Sequence, residues 1–183
     1  MSREQILTIV TPYYSQNDGA HTLSHALEVE RCSLLFCRET GVSTELASAA
    51  SLLHDVGCHV SRKSHHEIAH DFVMDLPGTL FPSFEGQRLV ALACLEHRAS
   101  WKGGFSSPLS EVISCADRGA PSFENILERS LKYRAGEANA LEGAHTHMRN
   151  KYGKGGYVKY SPLYLKLFSA EVEELQRKIA ALL

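Results

Sequence analysis

No run in this 183-residue sequence is long and apolar enough to span a bilayer. The opening residues, Met1-Ser2-Arg3-Glu4-Gln5, lack the basic-then-apolar layout of a secretory signal. The expected location is therefore the cytoplasm, with no membrane partner. Neither sign of charge dominates. Nineteen Lys and Arg stand against 21 Asp and Glu, for a net charge of −2. No global basic field points to a nucleic-acid polymer. The five cysteines, at 32, 37, 58, 94 and 115, are odd in number and show no CxxC spacing. That argues against a disulfide framework and leaves buried, reduced thiols filling the core. Internal repeats, low-complexity linkers and strand-length alternating stretches are also missing, so no sheet is expected.

What remains is an ordinary globular composition, 44% hydrophobic and 22% charged, in a chain long enough for one domain with a full core. The expected fold is all-α, a single-domain helical bundle. A short helix or turn over 4–14 ends near Pro12. Asp18 can cap a helix over about 20–40, with Leu23, Ala26, Leu27, Leu34 and Leu35 on its buried side and Gly41 as its stop. Ser43 and Thr44 cap a helix over about 44–56, where Gly57 offers a left-handed stop. Further helices are expected over about 64–76, 84–98, 109–118, 122–134 and 141–151. Ser161-Pro162 supplies a cap and a first-turn proline for a last helix running nearly to the end. Lys151 to Tyr157 is a basic, glycine-rich loop that lacks the strand context and Lys-Ser/Thr ending of a P-loop.

Histidine is the anomaly: there are ten, and they cluster. His54 and Asp55 close the apolar run that contains Leu52 and Leu53. Both side chains can ligate a metal, and an apolar setting makes two polar groups costly unless they have strong partners. Adjacent residues on a helix diverge by about 100°, so the pair would reach one metal cluster from different sides. For the doublet alone, a hydrogen-bonded core histidine is the competing reading. Four other helices each offer one more metal-competent residue: His25 mid-helix, His66 at a start, His97 and Asp117 at ends. A bundle that brings them together builds a metal site in its core. Imidazole and carboxylate together suit Fe, Mn, Zn, Co or Ni. His21 lies one turn before His25 and rivals it, and His65 rivals His66. His59, His70, His145 and His147 are read as surface groups or as groups behind the ligands.

The ordered set His25, His54-Asp55 and Asp117 resembles the HD superfamily of metal-dependent phosphohydrolases. The local contexts His25-x-x-x-Val29, Leu-Leu-His-Asp-Val-Gly and Ala116-Asp117-Arg118 carry the likeness. His66 and His97 resemble the two extra histidines of that family's two-metal branch. The likeness covers about residues 20–120, leaving about 121–183 as a C-terminal helical extension of a single 1–183 domain. It implies one or two divalent ions (Fe, Mn, Co, Ni, Zn or Mg), with Asp55 bridging two of them. His25, His54 and Asp117 would complete one ion, and His66 and His97 the other. Asp55 and His54 would be catalytic, organising a water that is acidified between the cations. Arg62, Lys63, Arg98 and Arg118 are implied as phosphate clamps, joined by Lys151 and Lys154 if the late loop covers the mouth. The substrate implied is a phosphate ester or nucleotide, and a homodimer is left open.

Two departures stand out. Many relatives follow the doublet with Gly-Lys, and here Cys58 replaces the lysine. The Gly-Tyr-Pro signature of the HD-GYP subgroup is absent, so cyclic-di-GMP hydrolysis is not implied. Two other readings stay open. One is a mixed-valent di-iron oxygenase of the same fold acting on a small polar substrate. The other is a non-catalytic metal- or nucleotide-binding module.

Overall fold

The computed structural model describes residues 2–182. Among them the chain is all helix, with no strand. The helices are α1 (Arg3–Tyr14), α2 (Leu23–Thr40), α3 (Thr44–Leu53), α4 (His65–Asp75), α5 (Phe84–Glu96), α6 (Pro108–Arg118), α7 (Phe123–Tyr133), α8 (Ala140–Tyr152) and α9 (Pro162–Ala180). The chain divides into two compact units, Met1–Gly119 and Ala120–Leu183. In the first, α2 packs on α3 and α6, α4 on α5, and α5 on α3 and α6, while α1 covers α3. In the second, α8 packs against both α7 and α9.

Local chemistry sets most of the boundaries. Ser2, Ser43, Ser83, Ser107, Ser122 and Ser161 each accept a hydrogen bond from a first-turn backbone N–H. Gly41 ends α2 in the left-handed conformation, φ 70°. Pro12 does not end α1. It sits in the last turn, so the helix loses one hydrogen bond and still reaches Tyr14. Asp18 caps a turn rather than α2: its Oδ1 accepts from Ala20 and His21 N–H at 2.8 and 3.1 Å. The inward stripe of α2 is Ala26, Val29, Glu30, Ser33, Phe36 and Cys37. Leu34 and Leu35, expected inside, are 37% and 40% exposed because they lie off that stripe.

The buried Glu30 is held by Arg3, whose Nε and Nη2 donate to it at 2.8 Å, which ties α1 to α2. Gln87 on α5 is buried and donates through Nε2 to the carbonyl oxygens of Val73, Met74 and Leu76 at 2.8, 3.3 and 2.8 Å. Val73 and Met74 lie in the last turn of α4 and Leu76 caps it, where carbonyl oxygens run short of intrahelical donors.

Gly57 plays a different part from the one its position suggests. Helix α3 stops at Leu53 and the chain continues in tight turns to Val60. Gly57 is not among the glycines with positive φ. It is needed for space: a Cβ there would meet the His65 carbonyl oxygen at 2.7 Å and Ile68 Cβ at 2.8 Å. Both atoms belong to the start of α4 and neither is a flexible chain end. Gly57→Ala is therefore expected to destabilise the protein by about 1–3 kcal/mol through overpacking. Urea unfolding of the variant beside the unaltered chain measures this, and equal midpoints would reject the steric account.

Candidate metal centre

The predicted side chains arrive from several helices and the turns that directly follow them. His25 lies in the first turn of α2, and His54 and Asp55 follow α3. His97 directly follows α5, and Asp117 is the penultimate residue of α6. The structure brings these five together, and Asp55 is at their centre. Its Oδ2 is 3.2 Å from His54 Nε2 and 3.9 Å from His25 Nε2. Asp117 Oδ1 joins this side, 3.0 Å from His25 Nε2 and 3.7 Å from His54 Nε2. Asp55 Oδ1 faces another pair, 3.3 Å from His65 Nε2 and 3.8 Å from His97 Nε2. One carboxylate thus addresses two sets of imidazoles, one with each oxygen.

The second set contains His65, not the expected His66. His66 is half-buried and turned aside, with Nδ1 3.4 Å from Arg98 Nη1. One residue rotates a side chain by about 100° on a helix, and here that step carries His66 away from the cluster and toward Arg98. The signal was in the sequence: His65 begins the buried stripe of α4, followed by Ala69 and Val73 at four-residue steps.

Hydrogen bonding fixes how the rings are used. Nδ1 of His54, His65 and His97 lies 2.7, 2.9 and 2.6 Å from the carbonyl oxygens of Ser51, Arg62 and Cys94, each three residues back. A carbonyl oxygen only accepts, so Nδ1 of His54 and His97 carries a proton, as does Nδ1 of His65 in the tautomer that bonds the Arg62 carbonyl rather than the Arg62 guanidinium 3.1 Å away. Each Nε2 then presents a lone pair to the cluster, unless it too is protonated. His54 Nε2 is buried without a hydrogen-bond partner although carboxylate oxygens surround it. His65 Nε2 and His97 Nε2 face each other at 3.2 Å. Leaving a buried acceptor unpaired costs about 1–3 kcal/mol, and lone pairs aimed at one another need a cation between them.

A proton can fill that role on one side only. Burial works against charge on His54, but the Asp55 and Asp117 carboxylates overcome it and raise its pKa to about 8. Burial dominates at His65 and His97, taking them down to about 4 and about 3. Those two rings are neutral at neutral pH, and with the one proton of each on the Nδ1 that meets a carbonyl, their facing nitrogens have none to share. Burial would also raise the two carboxylates. The imidazole of His54 at Asp55, and the hydrogen bond from His25 at Asp117, hold both well below the usual range instead. The donor set is therefore anionic oxygen with neutral imidazole on the His65–His97 side, and with an imidazole that gives up its proton to bind on the His54 side, which fits a divalent first-row ion.

The four cationic candidates are less concentrated. Arg62 places Nη1 3.1 Å from His65 Nδ1, so its guanidinium lies against that ring. Arg98 Nη1 donates to the Lys63 carbonyl at 2.7 Å, and Arg118 Nη1 to the Ser114 carbonyl at 2.9 Å. Lys63 itself is exposed. His21 is buried and bound to Asp18, Nδ1 to Oδ1 at 2.6 Å. Of two further residues at the centre, Asn17 escaped the sequence reading, and Cys58 entered it only as a core thiol standing where many relatives have lysine. Asn17 Nδ2 donates to the His21 and Asp55 carbonyls at 2.9 and 3.1 Å, which ties the loop after α1 to the doublet. Cys58 Sγ lies 3.4 Å from Asp55 Oδ1. No spacing rule marks a lone asparagine, whereas Cys58 is one turn beyond Asp55.

The HD domain family model matches residues 22–143, well over half of the sequence. The chain belongs to the HD domain family. Among curated relatives of this HD domain protein, Ribonuclease Y of Dehalococcoides mccartyi strain CBDB1 is 28% identical over 160 residues. That covers 81% of this chain and 28% of the relative. Ribonuclease Y of Enterococcus faecalis is 26% identical over 152 residues, covering 79% of this chain and 28% of the relative. The chain thus spans little more than a quarter of the length of these relatives. No solved structure matches it. No helix among the described residues is long and apolar enough to cross a membrane.

Proposed function

We propose that this HD domain protein is a metal-dependent phosphohydrolase that cleaves a phosphate ester of a nucleotide. Family membership supports the reaction class. The observation that carries the reading is the division of Asp55: Oδ2 toward His54 and His25, Oδ1 toward His65 and His97. A carboxylate so placed suits two cations held side by side. When bound, such ions acidify a water and neutralise phosphate charge.

The protein's own groups do the rest. Asp55 supplies one oxygen to each half. His54, His65 and His97 are held in the ligating tautomer by the carbonyls behind them. Asp117 and His25 complete the first half. Arg62, beside His65, is the first candidate to contact substrate phosphate, followed by Arg98. RNA phosphodiester linkages head the substrates to test, because the relatives are named Ribonuclease Y.

The test is a panel of nucleotides, simple phosphate esters and short RNAs, assayed with Mn, Co, Mg, Zn and Fe. Turnover of at least one substrate, lost on chelation, is expected. Silence across the panel with full metal loading would reject the hydrolase. A second measurement separates the two histidines at the start of α4. His65→Ala should lose one of two metal equivalents by elemental analysis, while His66→Ala keeps both. The opposite pattern would return the role to His66.

A further inference from the structure

Cys58 lies one turn past Asp55, and its N–H donates to the Asp55 carbonyl at 3.0 Å, so the two side chains emerge on the same side. The thiol is buried and donates to Asp55 Oδ1 across 3.4 Å. Oδ1 is the oxygen that faces His65 and His97. One ligand atom from each of Asp55, Cys58 and His65 lies within 4.8 Å of the others, a spread that a single ion can bridge. Independently of the sulfur, His65 Nε2 and His97 Nε2 converge at 3.2 Å. We propose that Cys58 is a ligand of the cation held on the Oδ1 side of Asp55.

The inference rests on the reading of Asp55 as a bridge. It makes the two halves of the centre chemically unlike. His25, His54 and Asp117 form a nitrogen–oxygen half, and Cys58, His65 and His97 form a half that contains sulfur. Without metal, the thiol keeps its proton and shares it with Oδ1. On coordination the S–H bond breaks, the proton leaves to solvent and the sulfur electron pair goes to the ion. A thiolate is a soft ligand, so this half prefers Zn to Mg or Mn.

The full chain loaded with Co(II) tests this. The ligand-field bands of cobalt report whether the ion is bound, and a near-ultraviolet sulfur-to-cobalt charge-transfer band reports the thiolate. Both are expected in the unaltered protein. Cys58→Ser should lose the charge-transfer band and keep the ligand-field bands and its far-ultraviolet circular dichroism. Bound cobalt without the charge-transfer band would overturn the role of Cys58 and leave the metal centre standing. Failure to bind cobalt or zinc at all would overturn both. A band that survives in Cys58→Ser would assign the sulfur to another cysteine and overturn the proposal. Should that variant not fold, Zn-edge X-ray absorption of the unaltered protein decides. A Zn–S shell at about 2.3 Å is expected, and its absence would overturn the assignment.

Discussion

Asp55→Asn is expected to lower phosphoesterase turnover by roughly 10³-fold, the scale of losing one preorganised electrostatic group from a water-poor site. The substitution keeps the size and removes only the charge. Asp55 is 2% exposed and is the one carboxylate shared by both sets of imidazoles. An amide cannot take both places, since its nitrogen is a donor that opposes a cation. Metal content should fall along with activity, below one equivalent by elemental analysis. The fold should persist, because Tyr14 and Asn17 hold the surrounding turn by donating to the Leu52 and Asp55 carbonyl oxygens, which the substitution leaves alone. An Asn variant with full metal and full turnover would end the bridging role.

Removing metal from the loaded protein should lower its melting temperature by about 10 °C. A ligand that binds only the folded state stabilises by about 4 kcal/mol when its free concentration is a thousand times the dissociation constant. For a chain of this size, each kcal/mol moves the midpoint by about 2–4 °C. The sign follows from the cluster itself. His65 and His97 present facing lone pairs, and the buried Asp55 and half-buried Asp117 carboxylates stand close by. A cation relieves that crowding in the folded state and has no such site in the unfolded chain. Calorimetry before and after chelation, with Zn or Mn added back, reads the shift. An unchanged midpoint with metal present at saturation would contradict the fit of these residues to an ion.

Much of this is legible in the sequence. The all-α fold followed from helical periodicity and from caps such as Ser43, Ser122 and Ser161, because those signals are local. The convergence of His25, His54, Asp55, His97 and Asp117 was legible from their order along the chain. Of the two adjacent histidines the sequence reading favours His66, whereas His65 faces inward, in line with the Ala69–Val73 stripe. The exposure of Leu34 and Leu35 was hidden for a related reason. Leucine marks a helix well, but only the stripe of α2, which includes small and polar residues such as Ala26, Glu30 and Ser33, shows its inward face. Gly57 was misread because a glycine after a helix usually signals a left-handed stop. What decides here is the approach of His65 and Ile68 from a later helix, and local sequence carries no trace of it.

Gln87 has a mechanical consequence. Its amide clasps the end of α4 from within α5, while His65 starts the first helix and His97 follows the second. The two helices are thereby fastened near one end and carry their imidazoles at the other, like the arms of a pair of tongs. Loosening the rivet with Gln87→Ala would let the tips drift apart, so the grip on an ion would weaken from a point that never touches it.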